Sequence, residues 1–410
     1  MYKQSIPWIE NNNENEIPPY QLPDPLLCGD GSRIVSAEDW KTRRRPELLT
    51  LFRDIMYGNP PPMPDKIQVT LLTEKKDARN GTAVRREFML DFRMDDGRRH
   101  SVIVLLYIPS QVQGKVPICV NLTFGGNQTL TDEPDVIMTG LQGKRDSRFL
   151  APHRNSRCCP IDLILSHGYA LAIASYHDFF PDFADSWGAS IYELFRNPEE
   201  LAPGSRPKDA SAIAAWAWGY SRVLDGVLSF PEIDEKKAFC IGHSRLGKSA
   251  LWAGVQDERF GMVCVNNSGC GGAALSRRLF GETIYSMYWY FNIGEWWFTE
   301  KMKEYAVHVE NLPFDQHELL ALAAPRTVVV HSASEDLWAD PKGEYLAAYH
   351  AGPVYRLFGK TGLNSENPPP PDQAVGTDIR YFMRTGGHDL LLADWQHYLA
   401  AADSVFDSEP

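Results

Sequence analysis

Ser244 lies in the segment 242–247 (GHSRLG), whose surroundings are typical of a nucleophilic serine. An apolar strand pattern at Lys237–Ile241 precedes the segment and a helical pattern follows it. A strand–turn–helix elbow of this kind lifts a serine hydroxyl above a sheet and directs helix N–H groups at a developing oxyanion. The segment has one residue more than the pattern G-x-S-x-G, so a structural turn with an incidental serine is the alternative interpretation.

A nucleophilic serine needs a base and a group that orients the base, and in such enzymes the chain order is serine, acid, histidine. His388 lies in the glycine-rich segment 385–389 (TGGHD), after a strand pattern and before an apolar helical pattern. Glu335 and Asp336 follow another strand pattern, where an imidazole-orienting carboxylate belongs. The residues predict a catalytic triad of Ser244, His388 and one of the two carboxylates Glu335 and Asp336, and they leave open which of the two orients the histidine.

Elements that could position these residues follow in a regular order. Early strands separated by the hairpin dipeptides Asn80-Gly81 and Asp96-Gly97 are followed by alternating strands and helices. The predicted strands are 66–74, 83–93, 99–108, Val116–Leu122, Tyr169–Ser175, Lys237–Ile241, Met262–Val265, Arg326–His331, Val354–Phe358 and Ile379–Met383, and the longest predicted helices are 37–57 and 208–229. This order predicts an α/β protein of the α/β-hydrolase fold, a three-layer sandwich with a mostly parallel central sheet and antiparallel N-terminal strands.

The predicted domain organisation is simple. Residues 1–35, rich in Asn, Pro and Asp, are expected to form an extended arm, and residues 36–410 a single catalytic domain. An aromatic-rich insertion is expected near 280–315, and its segment Tyr285–Phe298 has two interpretations. It could form a wall over the leaving-group side of a site, or supply aromatic side chains to the core.

Composition excludes several classes of protein. The net charge of −12, without a long basic block, argues against a nucleic-acid partner. No apolar run is long enough to predict a membrane span. The seven cysteines lack metal-site spacing, so we expect no metal and no disulfide framework. We expect a monomer, with the oligomeric state open. Localisation is also open: cytoplasmic if the chain is complete, secreted if a leader has been removed.

The chain resembles the bacterial-type glucuronoyl esterases of carbohydrate esterase family 15, in the α/β-hydrolase superfamily. The resemblance covers nearly the whole chain, and its most specific parts are the elbow with Ser-Arg and the Glu-Asp-x-Trp segment. Its motifs are 22–26 (LPDPL), 43–47 (RRRPE), 121–127 (NLTFGGN), 242–248 (GHSRLGK), 267–274 (NSGCGGAA), 313–320 (PFDQHELL), 335–341 (EDLWADP) and 387–390 (GHDL). The resemblance implies a carboxylic ester hydrolase that cleaves esters between 4-O-methyl-glucuronic acid of glucuronoxylan and lignin alcohols, without a cofactor.

The resemblance also implies roles for particular residues. Ser244 would be the nucleophile and His388 the general base and then acid. Arg245 would join backbone N–H groups in the oxyanion hole, which suits a guanidinium that stays charged. Sugar contacts are implied for three further residues: Lys248, Glu282 and Trp338.

One departure from the family pattern concerns the triad acid. Many members carry a glutamate where this chain has Asn267, and an amide cannot neutralise an imidazolium. The resemblance then assigns the acid to the alternative bacterial position, Asp336. Two other functions stay open: an esterase for other uronate or acetyl esters of plant polysaccharides, and an inactive carbohydrate-binding relative.

Overall fold

The computed structural model describes residues 11–140 and 156–407. Its strands are β1 Lys66–Ala78, β2 Ala83–Arg93, β3 Arg99–Pro109, β4 Val116–Thr123, β5 Ala170–Ser175, β6 Ile233–His243, β7 Phe260–Asn266, β8 Thr327–Ala333, β9 Val375–Gly376 and β10 Ile379–Arg384. Its α-helices are α1 Ala37–Asp39, α2 Arg45–Leu51, α3 Ile161–Ser166, α4 Ala212–Val227, α5 Arg245–Gln256, α6 Ile284–Trp289, α7 Gly294–Trp297, α8 Met302–Tyr305, α9 Gln316–Ala321, α10 Pro341–His350, α11 Gly352–Leu357 and α12 Leu392–Phe406. π-helical turns at Trp40–Arg44 and Phe52–Tyr57 join α1 and α2 into the continuous helix predicted over 37–57.

The strands form one sheet in the order β1-β2-β3-β5-β4-β6-β7-β8-β10-β9. The first three strands are antiparallel, and β3 pairs antiparallel with β5. From β5 across to β10 every neighbouring pair is parallel, and β9 adds an antiparallel edge. The prediction of a mostly parallel sheet with antiparallel N-terminal strands is confirmed.

Two apolar cores cover the two faces of this sheet. One packs α4, α5, α9 and α10 against one set of alternating strand residues, such as Val263 and Val265 of β7. The other packs α3 and α12 against the opposite set, such as Met262 and Cys264. Strands that are covered on both faces have nearly continuous apolar sequences. This explains why the central strands could be predicted from the sequence. No helix among the described residues is long and apolar enough to cross a bilayer.

One predicted strand, Val354–Phe358, is wrong. This segment belongs to the helix α11, in which Pro353 occupies the first turn. Val354 and Tyr355 are buried and Arg356 is exposed, so one side of a short helix faces the core. A brief apolar run cannot by its periodicity distinguish a buried helix from a buried strand.

The register of the sheet brings the ends of four strands together. His243 at the end of β6 pairs with Asn266 at the end of β7, and Asn266 pairs with His331 in β8. Arg384 at the end of β10 pairs with Ala333 at the end of β8. The loops that leave these strands therefore start at one edge of the sheet, where ligands of open α/β sheets usually bind.

Candidate active site

Ser244 lies between β6 and α5 in a strained backbone conformation. Its φ is 57° and its ψ is −128°, values that non-glycine residues rarely adopt and that cost about 1–3 kcal/mol. The Ser244 N–H donates to the carbonyl of Asn266 at 2.9 Å, which anchors the turn on the neighbouring strand. A Cβ on Gly242 would lie 2.0 Å from the carbonyl oxygen of Leu246, so this turn requires glycine there. The elbow predicted from the sequence is present in the structure.

His388 and Asp336 are hydrogen-bonded to each other. The Nδ1 of His388 lies 2.6 Å from the Oδ2 of Asp336. Burial alone would raise the pKa of Asp336, but the His388 hydrogen bond and charge, with help from Asn267, outweigh it and lower the pKa. Glu335 is exposed and reaches the His388 loop through its backbone N–H, which donates to Gly386. The geometry therefore favours Asp336 over Glu335 as the partner of His388.

Asn267, the departure from the family pattern, contacts the same carboxylate. Its Nδ2 donates to Asp336 Oδ2 at 2.6 Å, and its backbone N–H donates to the carbonyl of His331 at 2.8 Å. The φ of Asn267 is 44°, a left-handed value that asparagine tolerates better than most residues. Asn267 thus holds the carboxylate that contacts His388.

His243 packs against the imidazole of His388. The two ring centroids are 4.5 Å apart, and His243 Nδ1 lies 2.6 Å from Asn266 Oδ1. Burial, together with the charge of His388, lowers the pKa of His243 to about 4. His243 is therefore neutral at neutral pH, and it adds no positive charge beside His388.

Arg245 is held by a buried carboxylate that sequence reasoning missed. Its guanidinium forms an ion pair with Asp182, which also accepts hydrogen bonds at 2.8 Å from the indole N–H groups of Trp296 and Trp297 and at 3.0 Å from Tyr176. Burial raises the pKa of Asp182, but Arg245 and the two indoles outweigh that effect and lower it. Asp182 lies a few residues beyond the end of β5. Its position after a strand was the feature of the sequence that could have marked it as a candidate site residue.

Lys248 and Glu282 form a buried ion pair with an N–O distance of 2.7 Å. The ammonium of Lys248 also donates to the carbonyls of Ser268 and Cys270, each at 2.6 Å. These three acceptors match the three N–H donors of a lysine. The sequence predicted both residues near the site, but not their contact with each other.

A pocket of about 250 Å³ brings most of the predicted residues together. The predicted residues that line it are Ser244, Arg245, Lys248, Glu282, Trp338 and His388. Asp336 does not line it and lies behind His388. Among the described residues no three His, Cys, Asp or Glu side chains form a cluster that could hold a metal ion.

The aromatic segment 285–298 places side chains both in the core and at the pocket. Tyr288 and Phe298 are buried, whereas Trp289 and Tyr290 are exposed. Phe291 lines the pocket, and its ring meets that of Trp338 edge-on at a centroid distance of 5.2 Å. The segment therefore contributes to the core and to one wall of the pocket.

Comparisons with known proteins point to one family. A family model described as "Glucuronyl esterase, fungi" matches residues 204–359. A carbohydrate esterase named MZ0003, from an unknown prokaryotic organism, is 36% identical over 96% of this chain and 91% of its own length. The chain belongs to carbohydrate esterase family 15, the family named CE15 in the description of a solved structure that is 35% identical to it.

Solved structures of this family have the same fold. A glucuronoyl esterase from Solibacter usitatus superposes with a TM-score of 0.89 at 36% identity, over 96% of this chain and 100% of that one. A structure described as a promiscuous CE15 esterase from a marine bacterial metagenome gives 0.86 at 35% identity, over 97% of this chain and 100% of that one. The predicted family and the α/β-hydrolase fold are confirmed.

A second buried carboxylate near the site, Glu344, was not predicted from the sequence either. Glu344 of α10 accepts hydrogen bonds from the turn 267–269 and from Ser332 of β8. A glutamate in a helix is usually exposed, so the sequence carried no signal for its burial.

Proposed function

We propose that the chain hydrolyses esters of glucuronic acid or 4-O-methyl-glucuronic acid through a covalent acyl-enzyme on Ser244. The observation that carries the proposal is the composition of one pocket. It contains a strained serine, a histidine bonded to a buried aspartate, and, on its other walls, Arg245 and the Lys248–Glu282 pair.

The proposed reaction begins with His388 as base. His388 takes the proton of the Ser244 hydroxyl as the oxygen attacks the ester carbonyl carbon, and the resulting imidazolium is stabilised by Asp336. Collapse of the tetrahedral intermediate breaks the carbon–oxygen bond to the alcohol, which leaves with that proton. Water then attacks the acyl-enzyme with His388 as base again, and the uronic acid is released.

Arg245 and the start of α5 are proposed to stabilise the oxyanion. The first N–H groups of a helix have no intrahelical acceptor, and α5 begins directly after Ser244. The guanidinium of Arg245 stays charged at any working pH. Its ion pair with Asp182 and its packing on the ring of Trp297, 4.9 Å from the centroid, restrict the position of the charge before substrate binds.

The sugar ring is proposed to bind between Glu282, Lys248 and Trp338. Because three protein acceptors already use the three N–H donors of Lys248, the carboxylate of Glu282 is proposed to accept the hydrogen bonds from the sugar hydroxyls, and Lys248 holds it in place. The partly exposed indole of Trp338 offers an apolar face to the C–H groups of a pyranose. The proposed partner is therefore an ester of glucuronoxylan or of a lignin–carbohydrate linkage. Relatives support this choice, since a protein of Schizophyllum commune that is 26% identical over 82% of this chain is named a 4-O-methyl-glucuronoyl methylesterase.

The test is a panel of esters given to the wild type, to Ser244→Ala and to a control, Ser221→Ala. Ser221 lies on α4, away from the pocket. The panel contains methyl and benzyl glucuronate, methyl 4-O-methyl-glucuronate, methyl galacturonate and p-nitrophenyl acetate. We expect turnover of the glucuronate esters by the wild type and the control, and its loss in Ser244→Ala.

The same panel separates the alternatives. Preference for p-nitrophenyl acetate or methyl galacturonate would favour an esterase of other substrates, an outcome to which the relative described as promiscuous gives weight. Binding of glucuronate without turnover of any ester would favour an inactive carbohydrate-binding protein. Unchanged turnover in Ser244→Ala would refute the serine mechanism.

A further inference from the structure

Glu344 is a buried carboxylate that the proposed reaction does not use. It lies in α10, and one of its oxygens, Oε1, accepts three hydrogen bonds from the turn after β7. The donors are the N–H of Ser268 at 2.7 Å, the hydroxyl of Ser268 at 2.9 Å and the N–H of Gly269 at 3.0 Å. Its other oxygen, Oε2, accepts from the hydroxyl of Ser332 at 2.6 Å.

These bonds connect the segment that carries Asn267 with the strand that precedes Asp336, the hydrogen-bond partner of His388. The turn 267–269 carries Asn267, whose amide donates to Asp336. Ser332 belongs to β8, and Asp336 follows the end of that strand, with its N–H donating to the carbonyl of Ala333 at 3.1 Å. One carboxylate therefore ties together the donor and the acceptor of the Asn267–Asp336 hydrogen bond.

Among the described residues, Glu344 accepts hydrogen bonds but forms no salt bridge that would balance its charge. The nearby carboxylate of Asp336 raises the pKa of Glu344 further. Its other titratable neighbours are the phenols of Tyr381 on β10 and Tyr398 on α12. Burial, opposed only in part by the hydrogen bonds from Ser332, Gly269 and Ser268, raises the pKa of Glu344 to about 7.

We propose that Glu344 is a positioning residue for ester hydrolysis, and that its ionised carboxylate fixes the turn 267–269 and β8 so that Asn267 and Asp336 hold His388. The proposal rests on the function proposed for this pocket. Hydrogen bonds to an ionised acceptor are shorter and stronger than those to a neutral one, so ionisation of Glu344 tightens all four bonds. Protonation turns one oxygen into a donor and loosens them.

The test compares Glu344→Gln with a matched control, Glu318→Gln. Glutamine keeps the shape and can keep every hydrogen bond, since its oxygen accepts from the turn while its amide donates to Ser332. Glu318 is likewise a buried helical glutamate whose pKa burial raises to about 7, but it pairs with Arg44 and does not line the pocket. A third variant, Ser332→Ala, keeps the charge of Glu344 and removes one of its bonds.

Two kinds of measurement are made on each protein. The first is kcat and KM for benzyl glucuronate from about pH 5 to about pH 9. The second is the downfield proton resonance of the His388–Asp336 hydrogen bond, which is observed without turnover. If the wild type hydrolyses no uronate ester, the proposed function fails, while the resonance still reports on the role of Glu344.

For Glu344→Gln we expect a loss in kcat of about tenfold, with KM within about twofold, above the pKa of Glu344. The inflection near pH 7 in the wild-type kcat profile disappears, and the resonance shifts. Glu318→Gln shows none of these changes. Ser332→Ala loses less kcat than Glu344→Gln and keeps the inflection. If Glu344→Gln does not fold, Ser332→Ala is the variant that tests the proposal. Wild-type kcat and inflection in Glu344→Gln, or equal losses in Glu318→Gln, would overturn the proposal.

Discussion

The replacement Asp336→Asn tests the assigned acid because it removes a charge and little else. Oδ2 of Asp336 accepts from both His388 and Asn267, each at 2.6 Å. With two donors directed at that point, the carbonyl oxygen of an asparagine is the group that fits there. The imidazole should then keep its tautomer, and the measured loss should reflect the missing charge.

The size of that loss follows from the distance. At an effective dielectric constant of about 20, unit charges 2.6 Å apart interact by about 6 kcal/mol. The His388 side chain is 40% exposed, so solvent screens part of this interaction, and we take about half of it. About 3 kcal/mol of lost stabilisation of the imidazolium corresponds to a decrease in kcat of roughly a hundredfold.

The assay is release of benzyl alcohol from benzyl glucuronate at saturating substrate, normalised to the folded fraction from circular dichroism. Glu335→Gln is the matched control, because this neighbouring carboxylate is exposed and makes no side-chain contact with His388 in the described structure. Retention of more than about a third of kcat in Asp336→Asn would refute the assignment. An equal loss in Glu335→Gln would refute it as well.

A second replacement in the same background tests whether the acid can be relocated. In Asp336→Asn, the further change Asn267→Glu introduces a longer, charged side chain at the position that contacts residue 336, which in turn contacts His388. We expect it to recover about tenfold of the lost kcat. Because residue 267 has a left-handed φ, we also expect the glutamate to lower the stability of the fold by about 1 kcal/mol. In the wild-type background the same change sets two carboxylates together and should lower kcat.

Three further predictions concern buried residues outside the triad. Asp182→Asn should lower kcat about tenfold, less than Arg245→Ala, because the guanidinium remains but loses its anchor; steady-state kinetics of both variants decide it. Lys248→Met should destabilise the fold by about 3 kcal/mol through the unpaired Glu282, and adding Glu282→Gln should recover most of this in thermal melts. Burial lowers the pKa of His317 to about 4, so its stabilising effect, full above the unfolded pKa, is lost as the pH falls towards 4. His317→Gln should therefore gain stability relative to the wild type over that range in melts at each pH.

Local patterns predicted the strands well because the signals for them are local. The predicted strand 83–93 has the bounds of β2, since the hairpin dipeptides Asn80-Gly81 and Asp96-Gly97 lie on either side of it. The strand prediction for Val354–Phe358 was wrong because the deciding signal there is not local. Whether a short apolar run becomes a strand or one buried side of a helix depends on what packs against it, and that is decided by residues far away in the chain.

The candidate site shows the same division. Ser244, Asp336 and His388 could be placed together because each follows a strand of a parallel sheet, where chain order and strand ends constrain position. Asp182 also follows a strand, β5, but no motif marks it, and its burial depends on the guanidinium of Arg245, which only the folded chain brings near it. The burial of Glu344 depends in the same way on the turn 267–269.

Asn267 is the residue for which the structure changes the argument most. From the sequence alone it counted as the loss of a charge, since an amide cannot neutralise an imidazolium. In the structure its amide donates to Asp336, and the turn that carries it is held by Glu344. A glutamate in its place would repel Asp336 instead of orienting it. An amide at 267 and an acid at 336 are therefore consistent with each other, and each explains why the other is tolerated.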